Sequence, residues 1–471
     1  MLRKNSPRGF PLAELSSVTP LDGRYREKIE ELSEFTSEFG LIKIRVEVEI
    51  KYLIALSEEK IVRKISPKEK SLLLNLINKL SIEDAEKVKE IENETRHDVK
   101  AVERFLRNFL KNTTLRDIIE FIHFGLTSED INNISYRLIL KRATGRIIIP
   151  VLLEIINELC EIAEKNKKVV MLARTHGQPA VPTTLGKEIV IFADRLNKQF
   201  LKLKDQNLTG KITGAVGNYN SLKLSYPKTD WIKFSEKFVN SLGLTPNIIT
   251  TQINPYDDFA QYFQTIERIN NILIDFSQDA WRYISDGWFT QKVKKGEVGS
   301  SAMPQKVNPI DFENSEGNLG MANSILEFMA RKLPVSRLQR DLSDSTVIRN
   351  IGTALGFSLI GYKSLLIGLS RITPNIEKIS EDLNNDWSIL AEAAQTLLRK
   401  EGVTDPYSML LSLTRGKHIK SSDWKSLINK LKVDKKIKDE LVSLTPEKYI
   451  GLSVEITEKA IKEIKQGKSS V

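Results

Sequence analysis

From Phe259 the apolar residues fall at Tyr262, Phe263, Ile266, Ile269, Leu273 and Phe276, then at Ile284 and Trp288. Steps of three and four sustained this way predict one amphipathic helix of about eight turns. The same period runs through 147–165, 181–203, 316–332 and 346–370. Alternating patterns are few, and Lys167–Leu172 is one short piece that could be extended. Long helices with short breaks predict an all-α fold, an elongated bundle. No internal repeat or low-complexity segment is visible.

The breaks suggest three segments: 1–123, 124–373 with the long helices, and 374–471 with shorter ones. Near the first boundary, Thr127-Ser128-Glu129-Asp130 precedes an apolar run and reads as a helix N-terminus. At the second, Thr373-Pro374 interrupts the helical pattern. A chain of 471 residues is also too long for a single small core.

Charge changes this picture little. The net +10 comes from 71 basic and 61 acidic residues spread along the chain. Lys and Glu interleave in EEKIVRKISPKEK and EDAEKVKEIENETRHDVK, which reads as solvated helix faces rather than a nucleic-acid stripe. No apolar run approaches the roughly 18 residues that span a bilayer. The basic N-terminus lacks a continuous apolar stretch, so a secretory signal is not expected. The single cysteine, Cys160, sits at an apolar helical position. It reads as a core thiol in a reducing compartment, with the cytoplasm as the default.

Candidate chemistry concentrates in Gly299–Glu316, GSSAMPQKVNPIDFENSE. It joins a small-residue loop, the hydroxyls of Ser300 and Ser301, Met303, the cation of Lys306, the amide of Asn308 and the carboxylate of Glu313. Gly296 and Gly299 would let this segment move as a lid. A serine is a poor base unless a nearby cation and a dry site favour its alkoxide. Lys306 can supply that charge, and Asn308 can bind developing negative charge.

Of four histidines, His176 is the best candidate proton donor, because its loop also offers Thr175 and Gln178 to fix a substrate. His97 and His123 occupy unusual local contexts, TRHDV and FIHFGLTS, and His418 reads as surface. No HExxH-like pair supports zinc. Asp22-Gly23-Arg24-Tyr25 reads as a turn presenting a guanidinium and a phenol. Arg340, Ser345 and Arg349 surround a helix start and suit a phosphate. The glycines of Gly210–Gly217 have the wrong spacing for a dinucleotide fingerprint and read as a tight turn between helices.

The segment Gly299–Pro309 resembles the GSSxMPxKxNP signature of the fumarase/aspartase superfamily, whose members release fumarate by C–N or C–O cleavage. The other motifs resemble its adenylosuccinate lyase family, in the longer bacterial-type branch. They are TPLDGRY at 19–25, TRHDVKAVE at 95–103, HFGLTSEDINN at 123–133, RTHGQPA at 174–180, GKITGAVGNYN at 210–220, PIDFENSEGNLG at 309–320 and QRDLSDSTVIRN at 339–350.

The resemblance implies β-elimination of fumarate from adenylosuccinate, and from the succinylated imidazole carboxamide ribotide of purine synthesis, without a metal or organic cofactor. It implies Ser301 as general base, His176 as general acid with Glu313 as its partner, and Lys306 and Asn308 on the succinyl carboxylates. Arg96, His97, Asp98, Thr127, Ser128, Thr175, Gln178, Gln252 and Met303 match substrate-binding positions. Arg24, Tyr25, Arg340, Ser345 and Arg349 match nucleotide and phosphate contacts. A homotetramer is implied, with three subunits building each site and no nucleic-acid or membrane partner.

Two departures stand out. Gln305 replaces the histidine more usual in this branch, as in argininosuccinate lyases. Tyr256, in Gln252-Ile253-Asn254-Pro255-Tyr256-Asp257, replaces the histidine of Gln-Ile-Glu-Pro-His-Asp. Argininosuccinate lyase is therefore the alternative within the superfamily, and a non-catalytic helical scaffold the alternative outside it.

Overall fold

The computed structural model describes residues 14–293, 296 and 302–469. Ser301, with Ser300 and Gly299, lies outside the described residues. The protein is 68% helical, so the all-α expectation holds. Among the described residues the strands form three two-stranded pairings only.

The chain forms two compact units that interleave in sequence. The first comprises residues 1–152, 200–271 and 317–363, and the second 153–199, 272–316 and 364–471. In the first, the helix Glu38–Glu58 is buried on nearly every face. It starts at Ser37, whose side chain accepts from the Gly40 N–H at 3.1 Å. It packs against the helix Ser128–Ala143. Tyr52, Phe234 and Phe238 meet at ring separations of 5.6–6.5 Å, adding an aromatic cluster to this core. Thr127 caps the Ser128–Ala143 helix as expected: Asp130 Oδ2 accepts from its backbone N–H at 2.8 Å, one half of a capping box.

Every apolar position from Phe259 to Phe276 in the long repeat is buried, on the helix Asp257–Ser285. The helix ends before Trp288, which is buried just beyond a turn at Gly287. Against the expectation that no apolar run approaches spanning length, the stretch Ser343–Arg371 is long and apolar enough to cross a membrane, but 67% of its most apolar window is buried inside the fold. That burial marks a core element of a folded domain.

In the second unit, Val170–Thr175 and Gln178–Thr184 form an antiparallel hairpin. The helix expected from 181 therefore begins at Leu185. Pro179 and Pro182 favour extended backbone and cannot donate helical hydrogen bonds. The signature helix begins earlier than its periodicity suggested, at Ile310 directly after Pro309. A separate cluster gathers Leu390, Leu398, Trp424 and Ile428 in the C-terminal region, all fully buried. Cys160 is buried, as read from its position.

Candidate active site

The hairpin tip explains why His176 stands out. Thr175 pairs with Gln178, so His176 and Gly177 are the whole loop. Their φ angles are +53° and +73°, the left-handed pair that a two-residue type I′ turn requires. Glycine accepts this conformation readily, whereas a histidine there is strained, a feature concentrated at functional sites. The turn leaves the imidazole exposed, with Thr175 and Gln178 exposed on either side. Arg174 braces it: the guanidinium lies 5.8 Å from the ring centre of buried Trp288 and donates to Gly177 O at 3.4 Å.

The same unit holds the described part of the signature loop. Met303 and Lys306 are exposed, and Asn308 is half-buried where the chain enters the Ile310–Lys332 helix. Glu313 stands in the first turn of that helix. Its Oε1 accepts from Trp281 Nε1 at 3.2 Å, and Glu316 accepts from Gln278 at 2.9 Å. Within one chain, the Glu313 carboxylate is therefore oriented by an indole.

The first unit gathers a second group. His97 caps the helix Asp98–Leu110, its Nδ1 accepting from the Lys100 N–H at 3.2 Å. This places the ring proton on Nε2, which lies 3.3 Å from Ser128 Oγ. Arg96, in left-handed backbone, ends the preceding helix and turns the chain into this cap. Asp98 Oδ2 receives Arg45 at 2.7 Å and Arg349 at 2.9 Å. Burial raises the Asp98 carboxyl, but the two guanidiniums and the Val99 N–H outweigh it and hold the group down at about 2. Arg349 also faces Glu38 at 3.5 Å. It lines a cavity of about 220 Å³ with Asp22 and Arg26, which brings in the Asp22–Tyr25 turn. Tyr25 opens a short helix there, with exposed Arg24 beside its ring.

Three further residues join, Arg340 and Ser345 through buried carboxylates and Gln252 through an exposed carbonyl. Arg340 donates to Glu129 Oε2 at 2.7 Å. The Ser345 N–H donates to Asp344 Oδ1 at 2.7 Å, in the first turn of the helix Ser343–Ile348. Gln252 donates to Ala215 O at 3.0 Å, tying its loop to the Gly210–Gly217 turn. That turn needs glycine at 217: φ is +86°, and a Cβ would sit 2.0 Å from Thr250 O.

Sequence reasoning missed Arg45, Glu49, Glu129 and Tyr256 as parts of this framework. Glu49 is buried beneath His123, whose Nδ1 lies 2.6 Å from Glu49 Oε1. Burial lowers the His123 pKa, but the charge and hydrogen bond of Glu49 outweigh that and raise it. A raised folded-state pKa gives stability that is complete below the unfolded value, near 6.5, and lost as pH rises through the folded one. Melts from pH 5 to 9 should show this pair fading on the alkaline side, and His123→Gln should flatten that dependence. An unchanged profile in the variant would remove His123 as its source.

The arrangement offers a strained, exposed imidazole, a cation and amide opening a helix, and an Arg-rich region with hydroxyls. A lyase family model matches residues 23–323, and an adenylosuccinate lyase C-terminal model matches 336–450. The fold is shared with a fumarate lyase from Mesorhizobium sp. BNC1, at TM-score 0.74 and 15% identity over 92% of this chain and 97% of that one. It is shared also with 3-carboxy-cis,cis-muconate lactonizing enzyme from Pseudomonas putida, at TM-score 0.73 and 16% identity over 94% and 99%. Family match and fold together define the class, an all-α lyase.

Sequence relatives narrow it. Adenylosuccinate lyase of Haemophilus influenzae is 46% identical over 452 residues, spanning 95% of this chain and 99% of the relative. That of Escherichia coli K12 is 45% identical over 447 residues, spanning 94% and 98%. The chain belongs to the adenylosuccinate lyase family of carbon–nitrogen lyases.

Proposed function

We propose that the protein eliminates fumarate from adenylosuccinate, giving AMP, and from the succinylated imidazole carboxamide ribotide, giving the free carboxamide. The observation that carries this reading is the near full-length match to adenylosuccinate lyases, together with the exposed His176 at a strained hairpin tip. Ser301 as alkoxide takes the proton from the succinyl Cβ, beside a carboxylate. The electron pair forms the C=C bond of fumarate as the C–N bond breaks. His176 delivers a proton to the departing nitrogen, which is a poor leaving group without one.

Lys306 and Asn308 hold the succinyl carboxylates and the dianionic intermediate, Met303 lines the same loop, and Glu313 orients the imidazole of a neighbouring chain. Arg96, His97, Asp98, Thr127, Ser128, Thr175, Gln178 and Gln252 contact the substrate. Arg24, Tyr25, Arg340, Ser345 and Arg349 contact the nucleotide and its phosphate. The enzyme is a cytoplasmic homotetramer whose sites combine residues of three subunits, without a metal or cofactor. Its three segments, 1–123, 124–373 and 374–471, are the working domains.

Purified protein supplied separately with adenylosuccinate, the succinylated ribotide and argininosuccinate should release fumarate from the first two only. Turnover of argininosuccinate alone would reject the reading. Arg349→Ala should raise KM by about tenfold or more with kcat changed little, since a charged hydrogen bond is worth about 1.5–3 kcal/mol. A pure kcat effect would contradict its assignment to phosphate.

A further inference from the structure

Tyr256 is only 2% exposed, and its hydroxyl has two carboxylate neighbours. It donates to Asp344 Oδ2 at 3.0 Å and lies 3.5 Å from Glu129 Oε1. Each carboxylate uses its other oxygen to hold a residue assigned above to the nucleotide. Glu129 Oε2 receives Arg340, and Asp344 Oδ1 receives the Ser345 N–H. The phenol therefore stands between two anchors that would otherwise repel one another in a buried setting.

The ring has little freedom to swing away. Arg137 lies with its guanidinium carbon 5.5 Å from the Tyr256 ring centre, and is itself locked to Asp258 by two bonds of 2.9 Å. Phe259 packs at 5.6 Å between ring centres. Burial, with Glu129 and Asp344 beside it, pushes the phenol well above the ordinary tyrosine range, so it stays a donor at every working pH. A histidine at this position would present a ring N–H to the same acceptors.

We propose that Tyr256 is a positioning residue for the phosphate end of the nucleotide site, its buried hydroxyl bridging the carboxylate that holds Arg340 and the one that holds Ser345. The inference rests on the assignment of Arg340 and Ser345 to phosphate. Removing the hydroxyl takes the donor from Asp344 Oδ2 and the polar neighbour from Glu129 Oε1, and so loosens both anchors together. The succinyl end is untouched.

Tyr256→Phe should raise KM for adenylosuccinate and Ki for AMP together by about tenfold, with kcat within about threefold. Competition by adenosine, which lacks the phosphate, should change far less. Tyr256→His should fold and bring KM and Ki back to within about threefold of the parent. In an Arg340→Ala background, Tyr256→Phe should lose the share of its effect that runs through that side chain and keep only the share through Ser345. Parent-like KM and Ki in Tyr256→Phe, or a loss confined to kcat, would overturn the proposal. So would a well-folded Tyr256→His variant with AMP binding weakened tenfold, a result readable even if the Phe variant does not fold. If Arg340→Ala leaves AMP binding unchanged, the phosphate assignment itself fails; if it weakens binding while Tyr256→Phe does not, only the bridge fails.

Discussion

Replacing His176 with alanine should lower kcat by about 10²–10⁴, and Ser301→Ala should do the same, as expected for loss of a general acid or base. Expulsion of an amide-like nitrogen anion is slow without a proton donor in place. For the same reason KM should move little in the His176 variant, since the imidazole acts on charge that develops only in the transition state. The two inactive variants, mixed and allowed to exchange subunits, should regain part of the activity, because some sites then combine an intact serine with an intact histidine. Mass-resolved subunit exchange without any return of fumarate release would refute the shared-site reading. A His176 variant retaining most of its kcat would remove the imidazole from the chemistry altogether.

The strain at His176 shows what a single sequence can and cannot convey. RTHGQPA reads as a loop with a histidine, and nothing in the letters says hairpin, because Pro179 and Pro182 mask the strand alternation. Only the register of Thr175 opposite Gln178 turns His176-Gly177 into a two-residue turn with both φ angles positive. The long helices were legible because tertiary packing enforces their period: the repeat positions Phe259, Tyr262, Phe263, Ile266, Ile269, Leu273 and Phe276 are all buried. The N-terminus of the Ser128–Ala143 helix was equally plain, since a capping box is written in local sequence.

Buried charge was not legible. Ile42–Ile50, IKIRVEVEI, alternates like a strand, yet it lies within a helix that is buried nearly all round. Its Arg45, Glu47 and Glu49 each meet a partner far away in sequence: Asp98, Arg142 and His123. EEKIVRKISPKEK reads as a solvated helix face. Instead the first helix ends at Glu58, the next starts at Pro67, and Arg63 between them is bound by Glu69, Asp117 and Thr114 O. In one sequence, a charge with a buried distant partner looks the same as a charge facing water.

Lys211→Met should destabilise the framework around Thr127 and Ser128 by about 3–5 kcal/mol, the cost of leaving a buried carboxylate without its cation. Lys211 Nζ lies 2.9 Å from Asp130 Oδ1, and neither side chain has any exposed surface. Asp130 Oδ2 accepts from Thr127 N, while Lys211 also donates to Gly214 O at 3.1 Å. One ion pair thus joins the helix cap carrying Ser128 to the glycine turn that supports Gln252. The Thr127 N–H, the Gly214 N–H at 3.3 Å from Asp130 Oδ1, and the helix N-terminus would still favour the Asp130 charge, which points to the lower end of that range. Asp130→Asn added to Lys211→Met should recover most of the loss, because the amide carbonyl still accepts from Thr127 and no buried charge remains. Since a protein of two units need not unfold in one step, the effect is best read from amide exchange in the Ser128–Ala143 helix at fixed protein concentration. Parent-like protection of that helix in Lys211→Met would mean that water or a rearranged side chain satisfies Asp130. If the double variant exchanges faster than the single, the cost lies in lost packing around the lysine stem rather than in the orphaned charge.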